Sequence, residues 1–317
     1  MRPCKPHVSE LATGEIVELF ENGGVAACSI VAPCIVETQA GNLVPQYSTD
    51  DLRKKTVQAV SFYRSGSLRS LPLEKQSTVT TPIGEMPAEF LTFYESGAVK
   101  RVFPLNGKLS GYWGEEEEAA LSEKLTVEVG ENRLIANCIS IGFYEQGTVE
   151  SVTFWPGDYV LVNTSVGKIQ TRIGAKFNCT GRVLSVEPAV PTTVETPIGK
   201  ITAYDNDAVG IVGDNNSLAF HENGEIRSVT TMHTKVVVTD LEGNTTELSP
   251  ATRESLCGNG DTEHVPMVIE FVSEGVRVKT ESGGSSRSFS YDQYDICSQT
   301  AIPKLKTFLG VAGSCSL

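Results

Sequence analysis

The sequence predicts an all-β protein of repeated antiparallel β-hairpins, forming an elongated, curled or solenoid-like β array with little helix. Three observations carry that expectation: a glycine-centred turn motif that recurs along the chain, a second glycine turn class that alternates with it, and β-prone runs of about five residues between closely spaced turn signals.

The first motif is an aromatic pair or its substitute, a short polar stretch, a glycine, and apolar residues two and five positions after that glycine. It begins as Leu19-Phe20-Glu21-Asn22-Gly23 with Val25, then Phe62-Tyr63-Arg64-Ser65-Gly66 with Leu68 and Leu71. Next come Phe93-Tyr94-Glu95-Ser96-Gly97 with Val99 and Val102, and Phe143-Tyr144-Glu145-Gln146-Gly147 with Val149 and Val152. Phe177-Asn178-Cys179-Thr180-Gly181 with Val183 and Val186, and Phe220-His221-Glu222-Asn223-Gly224 with Ile226 and Val229, complete six copies; Phe271-Val272-Ser273-Glu274-Gly275 is a looser seventh. Polar-Gly between apolar runs marks a tight hairpin, because glycine takes the positive φ that the turn demands. An aromatic facing a β-branched residue is a favourable cross-strand pair.

The second class reads Thr38-Gln39-Ala40-Gly41, Thr81-Pro82-Ile83-Gly84, Thr164-Ser165-Val166-Gly167 and Thr196-Pro197-Ile198-Gly199, with Thr13-Gly14-Glu15-Ile16 as a clipped version. From these glycines (the clipped version aside) to the next glycine of the first class the steps are 25, 13, 14 and 25 residues, so the unit is duplicated with insertions and a fixed-period array is excluded. Further hairpins are expected at Leu105-Asn106-Gly107-Lys108-Leu109, around Glu242-Gly243-Asn244 after the run from Val236, and across Gly283-Gly284 between Val276 and Tyr291. The one good helix candidate runs from Glu115 to Lys124, its acidic first turn suiting a helix N-terminus; a short second helix is expected near 304–309. Residues 1–248 read as the hairpin array, and 249–317 as a C-terminal hairpin and short helix, either continuous with the array or a separate lobe.

The apolar residues two and five positions after each glycine are an odd number apart, so in a regular strand they face opposite sides of the sheet. Either both faces are covered, by curling or layering, or a bulge after the glycine resets the pleat. Coiling into a two-layered or solenoid-like array is the favoured solution.

The Phe-Tyr-Glu-x-Gly-x-Val core resembles the MORN-repeat variant of bacterial proteins similar to the YwqK-type antitoxins. The resemblance covers six short stretches. It implies a β-meander that acts in protein contacts and, in some members, near membranes. Two features depart from that family: the step from one copy to the next varies between 31 and 50 residues, and the Thr-x-x-Gly turns are not part of its motif.

Composition limits function. The chain has 317 residues, 40% of them hydrophobic, and a net charge of −13. That field repels phosphate backbones and anionic headgroups, so neither nucleic acid nor membrane is an expected partner. The N-terminus has no apolar segment of the secretory kind, and the eight cysteines are scattered without CxxC spacing, so free thiols and a cytoplasmic setting are expected. Cys4, His7, Cys28 and Cys34 do not have the spacing of a zinc ribbon, and no cofactor motif is present.

Few residues suggest chemistry. His221 has Glu222 beside it and Asp214 upstream, but it occupies the slot that holds Tyr in other copies, and that plainer reading is preferred. Asp205, Asp207 and Asp214 offer oxygen ligands without an EF-hand pattern and read as a solvated loop. The four glutamates 115–118 read as a solvated helix start. Tyr112, Trp113 and Trp155 could form an aromatic platform for sugar or peptide, with core or hairpin-edge packing as the plainer reading. The preferred function is a non-enzymatic β-repeat protein that binds another protein, because repetition comes without a converged set of reactive residues. An antitoxin or immunity protein neutralising a basic partner is one alternative. A hydrolase is the other, and it requires Asp205, Asp207, Asp214 and His221 to meet in one pocket.

Overall fold

Strands account for 58% of the chain and helix for 2% in the computed structural model, and the pairing is antiparallel, as the hairpin motifs require. The structure describes residues 11–50, 52–206, 208, 216–254, 262–280 and 286–301. In chain order the elements are β1 (Thr13–Leu19), β2 (Val25–Ile30), β3 (Val36–Thr38), β4 (Gly41–Leu43), β5 (Val60–Phe62), β6 (Leu68–Thr81), β7 (Gly84–Phe93), β8 (Val99–Phe103) and α1 (Glu115–Ala119). There follow β9 (Lys124–Val129), β10 (Asn132–Phe143), β11 (Val149–Phe154), β12 (Val160–Thr164), β13 (Gly167–Phe177), β14 (Val183–Pro188), β15 (Thr192–Thr196), β16 (Gly199–Ala203), β17 (Leu218–Phe220) and β18 (Ile226–Thr231). The last are β19 (Thr234–Asp240), β20 (Thr245–Leu248), β21 (Ala251–Glu254), β22 (Thr262–Val265), β23 (Met267–Val272), β24 (Gly275–Lys279), β25 (Arg287–Ser290) and β26 (Tyr294–Thr300). The chain divides into two compact units, Met1–Thr192 with Asn206–Ser228, and Thr193–Asp205 with Val229–Leu317.

In the first unit one meander runs β1, β2, β5, β6, β7, β8, β10, β11, β13, β14, β17, each strand antiparallel to the next. The six turns of the first motif share one set of bonds. In the second copy the Tyr63 amide donates to the Ser67 carbonyl at 2.8 Å and the Gly66 amide to the Tyr63 carbonyl at 2.9 Å, and the same pair recurs in every copy. Glycine is required here: φ is +81° at Gly66 and +97° at Gly147.

The parity problem is solved by a bulge. Phe62 pairs with Leu68 but Ser61 pairs with Ser70, so Arg69 is an extra residue and Leu68 and Leu71 come to the same face. The same slip follows Leu19, Phe93, Phe143 and Phe177. The bulge therefore does what layering was expected to do. The result is an unbroken apolar row across the sheet, Leu71, Leu91, Val102, Ile141, Val152, Ala175, Val186 and Leu218, each paired with the next and each 0% exposed. Burying a large aliphatic side chain stabilises by roughly 1.5–3 kcal/mol, so this row is the spine of the unit. The neighbouring row, Ser70, Thr92, Arg101, Gly142, Ser151, Lys176, Ser185 and Ala219, is mostly polar.

The Thr-x-x-Gly turns also repeat one mechanism. The Thr81 hydroxyl donates to the Gly84 carbonyl at 2.7 Å and accepts from the Ile83 amide at 3.3 Å; Thr38, Thr164 and Thr196 make the equivalent bonds. A fifth turn of this set, Gly130 between β9 and β10, escaped the motif because it has no threonine. Instead the Asn132 side chain bonds both the amide and the carbonyl of Asn163, at 2.7 and 3.3 Å. Turns of this set reach turns of the first motif farther along the chain. Gln39 bonds the Ser96 carbonyl beside Gly97, a Cβ on Gly147 would lie 3.0 Å from Pro82, Gly130 abuts Gly181, and Ser165 bonds the Gly224 carbonyl. A regular spatial step is thus kept although the sequence step varies.

Several expectations fail in detail. Thr13-Gly14-Glu15-Ile16 lies within β1 and is not a turn. Residues 105–109 form no hairpin: the Gly107 amide donates to Glu118 and the Asn106 amide to Glu89, so the segment is held by carboxylates instead of a partner strand. The seventh motif is a two-residue hairpin in which Gly275 already pairs with Val272, without the slip of the other copies. Among the described residues helix is confined to α1, which ends at Ala119 instead of Lys124, and Glu118 within it is buried at 3% exposure, not solvated. The glycine pair 283–284 and residues 304–309 lie outside the described residues.

In the second unit β19 pairs with β20 and β26, and the Ser298 amide on β26 bonds the Ile198 carbonyl in the turn between β15 and β16. β23, β24 and β25 form a meander around Met267, Ile269, Val276 and Val278, all buried.

Candidate functional site: a groove beside Trp155

The first unit carries a groove of about 750 Å³ with three walls. One is the segment after β8 with α1, contributing Leu105, Leu109, Glu115 and Glu118. The second is the turn after β11, contributing Trp155, Asp158 and Tyr159. The third is the pair Ile139 and Ile173 with Arg172.

Each wall has a local cause. The segment after β8 has no strand partner and is positioned by charge. Arg53 grips Glu89 and Glu118 with two bonds each, all at 2.7 Å, and Glu118 also accepts from the Gly107 amide at 2.7 Å and the Trp113 indole at 2.7 Å. Burial works against the charge of Glu118, but the bonds from Arg53, Trp113 and Gly107 outweigh it and hold its pKa below the usual carboxylate value. Burial likewise opposes the charge on Arg53, and the two carboxylates more than offset it. The second wall is a Pro-Gly turn: the Asp158 amide donates to the Trp155 carbonyl at 3.1 Å, with φ +89° at Gly157. It is pinned to β10, since the Asn137 amide donates to Asp158 at 2.7 Å and the Trp155 amide to the Asn137 carbonyl at 3.0 Å. The third wall contains the one described non-glycine residue with positive φ, Ile173 at +61°, where the register of β13 with β14 slips between Arg172 and Ala175. For a β-branched residue this conformation is strained.

The groove has chemical character suited to holding something. Leu109 and Tyr159 stand on its walls at 59% and 58% exposure, open to an occupant. The Trp155 indole N–H is buried with no acceptor among the described residues, a state that costs about 1–3 kcal/mol. The carboxylates of Glu118 and Asp158 already accept hydrogen bonds, and Arg172 lies 3.6 Å from the fully buried Glu187. Cys138, nearby on β10, has its thiol pushed up to about 12 by burial, with Asp158 adding to the shift, and is a poor nucleophile at neutral pH. Shape, apolar walls and an acidic rim are what these residues provide.

Of the residues expected from sequence, Trp155 lines the groove. Trp113 serves it indirectly, through Glu118. Tyr112 is 79% exposed, with the Lys55 ammonium 4.7 Å from its ring centre. Asp205 is half-buried beyond β16, and His221 occupies the tyrosine slot of the sixth hairpin, exposed, as its motif position implies. Asp207 and Asp214 lie outside the described residues. Among the described residues no cluster of three or more His, Cys, Asp or Glu gathers to hold a metal ion, and no helix is long and apolar enough to cross a membrane. Arg53, Glu89, Leu109, Ile139 and Ile173 were not singled out by the sequence. The one local signal was the Pro-Gly turn after Trp155. No family model matches the chain, and no curated protein or solved structure matches it.

Proposed function

We propose that this chain is a non-enzymatic binding protein, a MORN-like hairpin array whose partner is another protein and whose seat for that partner is the groove beside Trp155. The observation that carries the reading is a groove of ligand-site size, about 750 Å³, with aliphatic walls from Leu105, Leu109, Ile139 and Ile173. The five free cysteines among the described residues suit a reducing, cytoplasmic setting. The net charge of −13 favours a basic partner and keeps the antitoxin-like reading as the second choice.

The test is affinity purification from the protein's own cells with the tagged chain and with Leu109→Arg as baits. Leu109 is mostly exposed, so the variant should keep its thermal unfolding curve. One stoichiometric protein held by the natural chain and lost by the variant is expected. Equal capture by both baits would remove the groove from the binding surface.

A further inference from the structure

We propose that the groove takes a basic peptide segment of a protein partner. A bulky apolar side chain fills the space between Leu109 and Ile139, and flanking lysine or arginine meets Glu115 and Asp158. The inference rests on the reading above and adds the chemistry of the occupant.

Two observations converge on that class. First, the walls are largely aliphatic, through Leu105, Leu109, Ile139 and Ile173. A sugar ring placed against them would bury hydroxyls beside groups that cannot bond them, at a cost of about 1–3 kcal/mol for each. An aliphatic or aromatic side chain has no such cost in the same place. Second, the charges that line the groove are Glu115, Glu118, Asp158 and Arg172. Arg172 has the carboxylate of Glu187 3.6 Å away, and Glu118 has Arg53 at 2.7 Å. Glu115 is exposed and Glu116 and Glu117 extend the acidic edge of α1, which leaves the rim negative. Charge complementarity therefore asks for a cationic segment, and the net charge of −13 draws the same kind of partner from a distance.

The strained Ile173 gives the site a physical reason to be kept in shape. It turns β13 where the strand leaves β12, whose partners end at Thr171, and takes up β11 from Gly174, while β14 is paired on both sides of the slip; Arg172 and Ile173 lie beside the groove. Strain of this kind persists only where surrounding structure holds it.

The protein has two tryptophans, so the full chain labelled with nitrogen-15 in its indoles gives two resolvable signals, assigned with Trp155→Phe. The probes are three acetylated tetrapeptide amides: lysine-phenylalanine-leucine-lysine, its charge-reversed glutamate version, and lysine-serine-glycine-lysine. The expected result is a saturable shift of the Trp155 signal with the first peptide, a smaller effect on Trp113, and binding weaker by about tenfold or more for the other two. Equal binding of the charge-reversed peptide overturns the basic character, and equal binding of the serine-glycine peptide overturns the apolar anchor. If no peptide moves the Trp155 signal, the peptide class is wrong, and the bait experiment with Leu109→Arg then decides separately whether the groove is a partner seat at all.

Discussion

The hydroxyl of Tyr94 donates to the backbone carbonyl of Phe143, 2.9 Å away, and so joins one hairpin to the next. Tyr63 does the same to Phe93 at 2.8 Å, and Tyr144 to Phe177 at 2.8 Å. The paired aromatics of the motif thus have separate tasks. Phe enters the core, and Tyr ties its hairpin to its successor. Where the slot holds Asn178, the side chain bonds inside its own turn and Arg182 makes the link, donating to the Glu222 carbonyl at 3.0 Å.

Replacing Tyr94 by Phe should therefore lower stability by about 0.5–1.5 kcal/mol, the usual net value of one hydrogen bond. The triple change of Tyr63, Tyr94 and Tyr144 should cost roughly three times as much, because the three ties share no atoms. Urea unfolding of the parent and the two variants measures this. A triple variant as stable as the parent would show that the ties carry no energy.

Two of these tyrosines, Tyr94 and Tyr144, should resist ionisation. Burial, and then the charge of Glu150, raises the pKa of Tyr94 and Tyr144 above the ordinary value. A folded-state pKa above the unfolded one gives stability that is complete below the unfolded pKa and is lost as pH rises through the folded one. Unfolding midpoints should accordingly fall as pH rises beyond about 10, and the fall should shrink in the Tyr94→Phe, Tyr144→Phe double variant. Ultraviolet titration of tyrosinate beside unfolding curves would test both parts. An unchanged alkaline slope in the double variant would assign the loss to other groups.

The ion cluster that holds the groove wall makes an acid prediction. Removing Arg53 leaves Glu89 and Glu118 buried without their strongest partner, so Arg53→Met should cost about 3–5 kcal/mol, beyond the value of any surface pair. Because the Glu118 pKa is held below its ordinary value, its contribution is present above the unfolded pKa and is lost as pH falls through the folded one. Glu74 adds in the same direction: burial opposes its charge, and bonds from Ser48 and Tyr47 outweigh that opposition. Stability should begin to fall as pH drops through the unfolded carboxylate value of about 4 and go on falling toward the lower folded one, with a weaker acid slope in Glu118→Gln, followed by circular dichroism across pH.

The hairpins were legible in the sequence because each is local: Gly66 and the polar residues before it define a turn without help from distant chain. The link from Tyr63 to Phe93 was not, because it joins side chain to backbone across 30 positions. The bulge after the glycine is legible only as an alternative to layering, because the parity of Leu68 and Leu71 allows either; the pairing of Ser61 and Phe62 with Ser70 and Leu68 decides it. Trp155 is visible as an aromatic beside a turn, but the groove requires Leu109, Ile139 and Ile173, which come from separate segments and carry no shared motif. Glu118 reads as solvated in the sequence because its partner, Arg53, lies 65 positions away.

Gly181 and Gly66 separate two roles that one motif position combines. Their φ values are nearly equal, +83° and +81°, so alanine pays the same left-handed backbone strain at both, about 1–2 kcal/mol. Around Gly66 a new Cβ meets nothing within 4 Å, whereas at Gly181 it would lie 2.7 Å from the Gly130 nitrogen and 2.9 Å from its Cα. Those atoms are backbone and cannot rotate away. Gly181→Ala should therefore destabilise by at least about 1 kcal/mol more than Gly66→Ala, the lower range for overpacking. Hydrogen exchange should show the excess as faster opening of the amides in the turn between β9 and β10. Equal losses for the two variants would mean that the contact between turns gives way freely, and that the regular spatial step of the array is set by the strands alone.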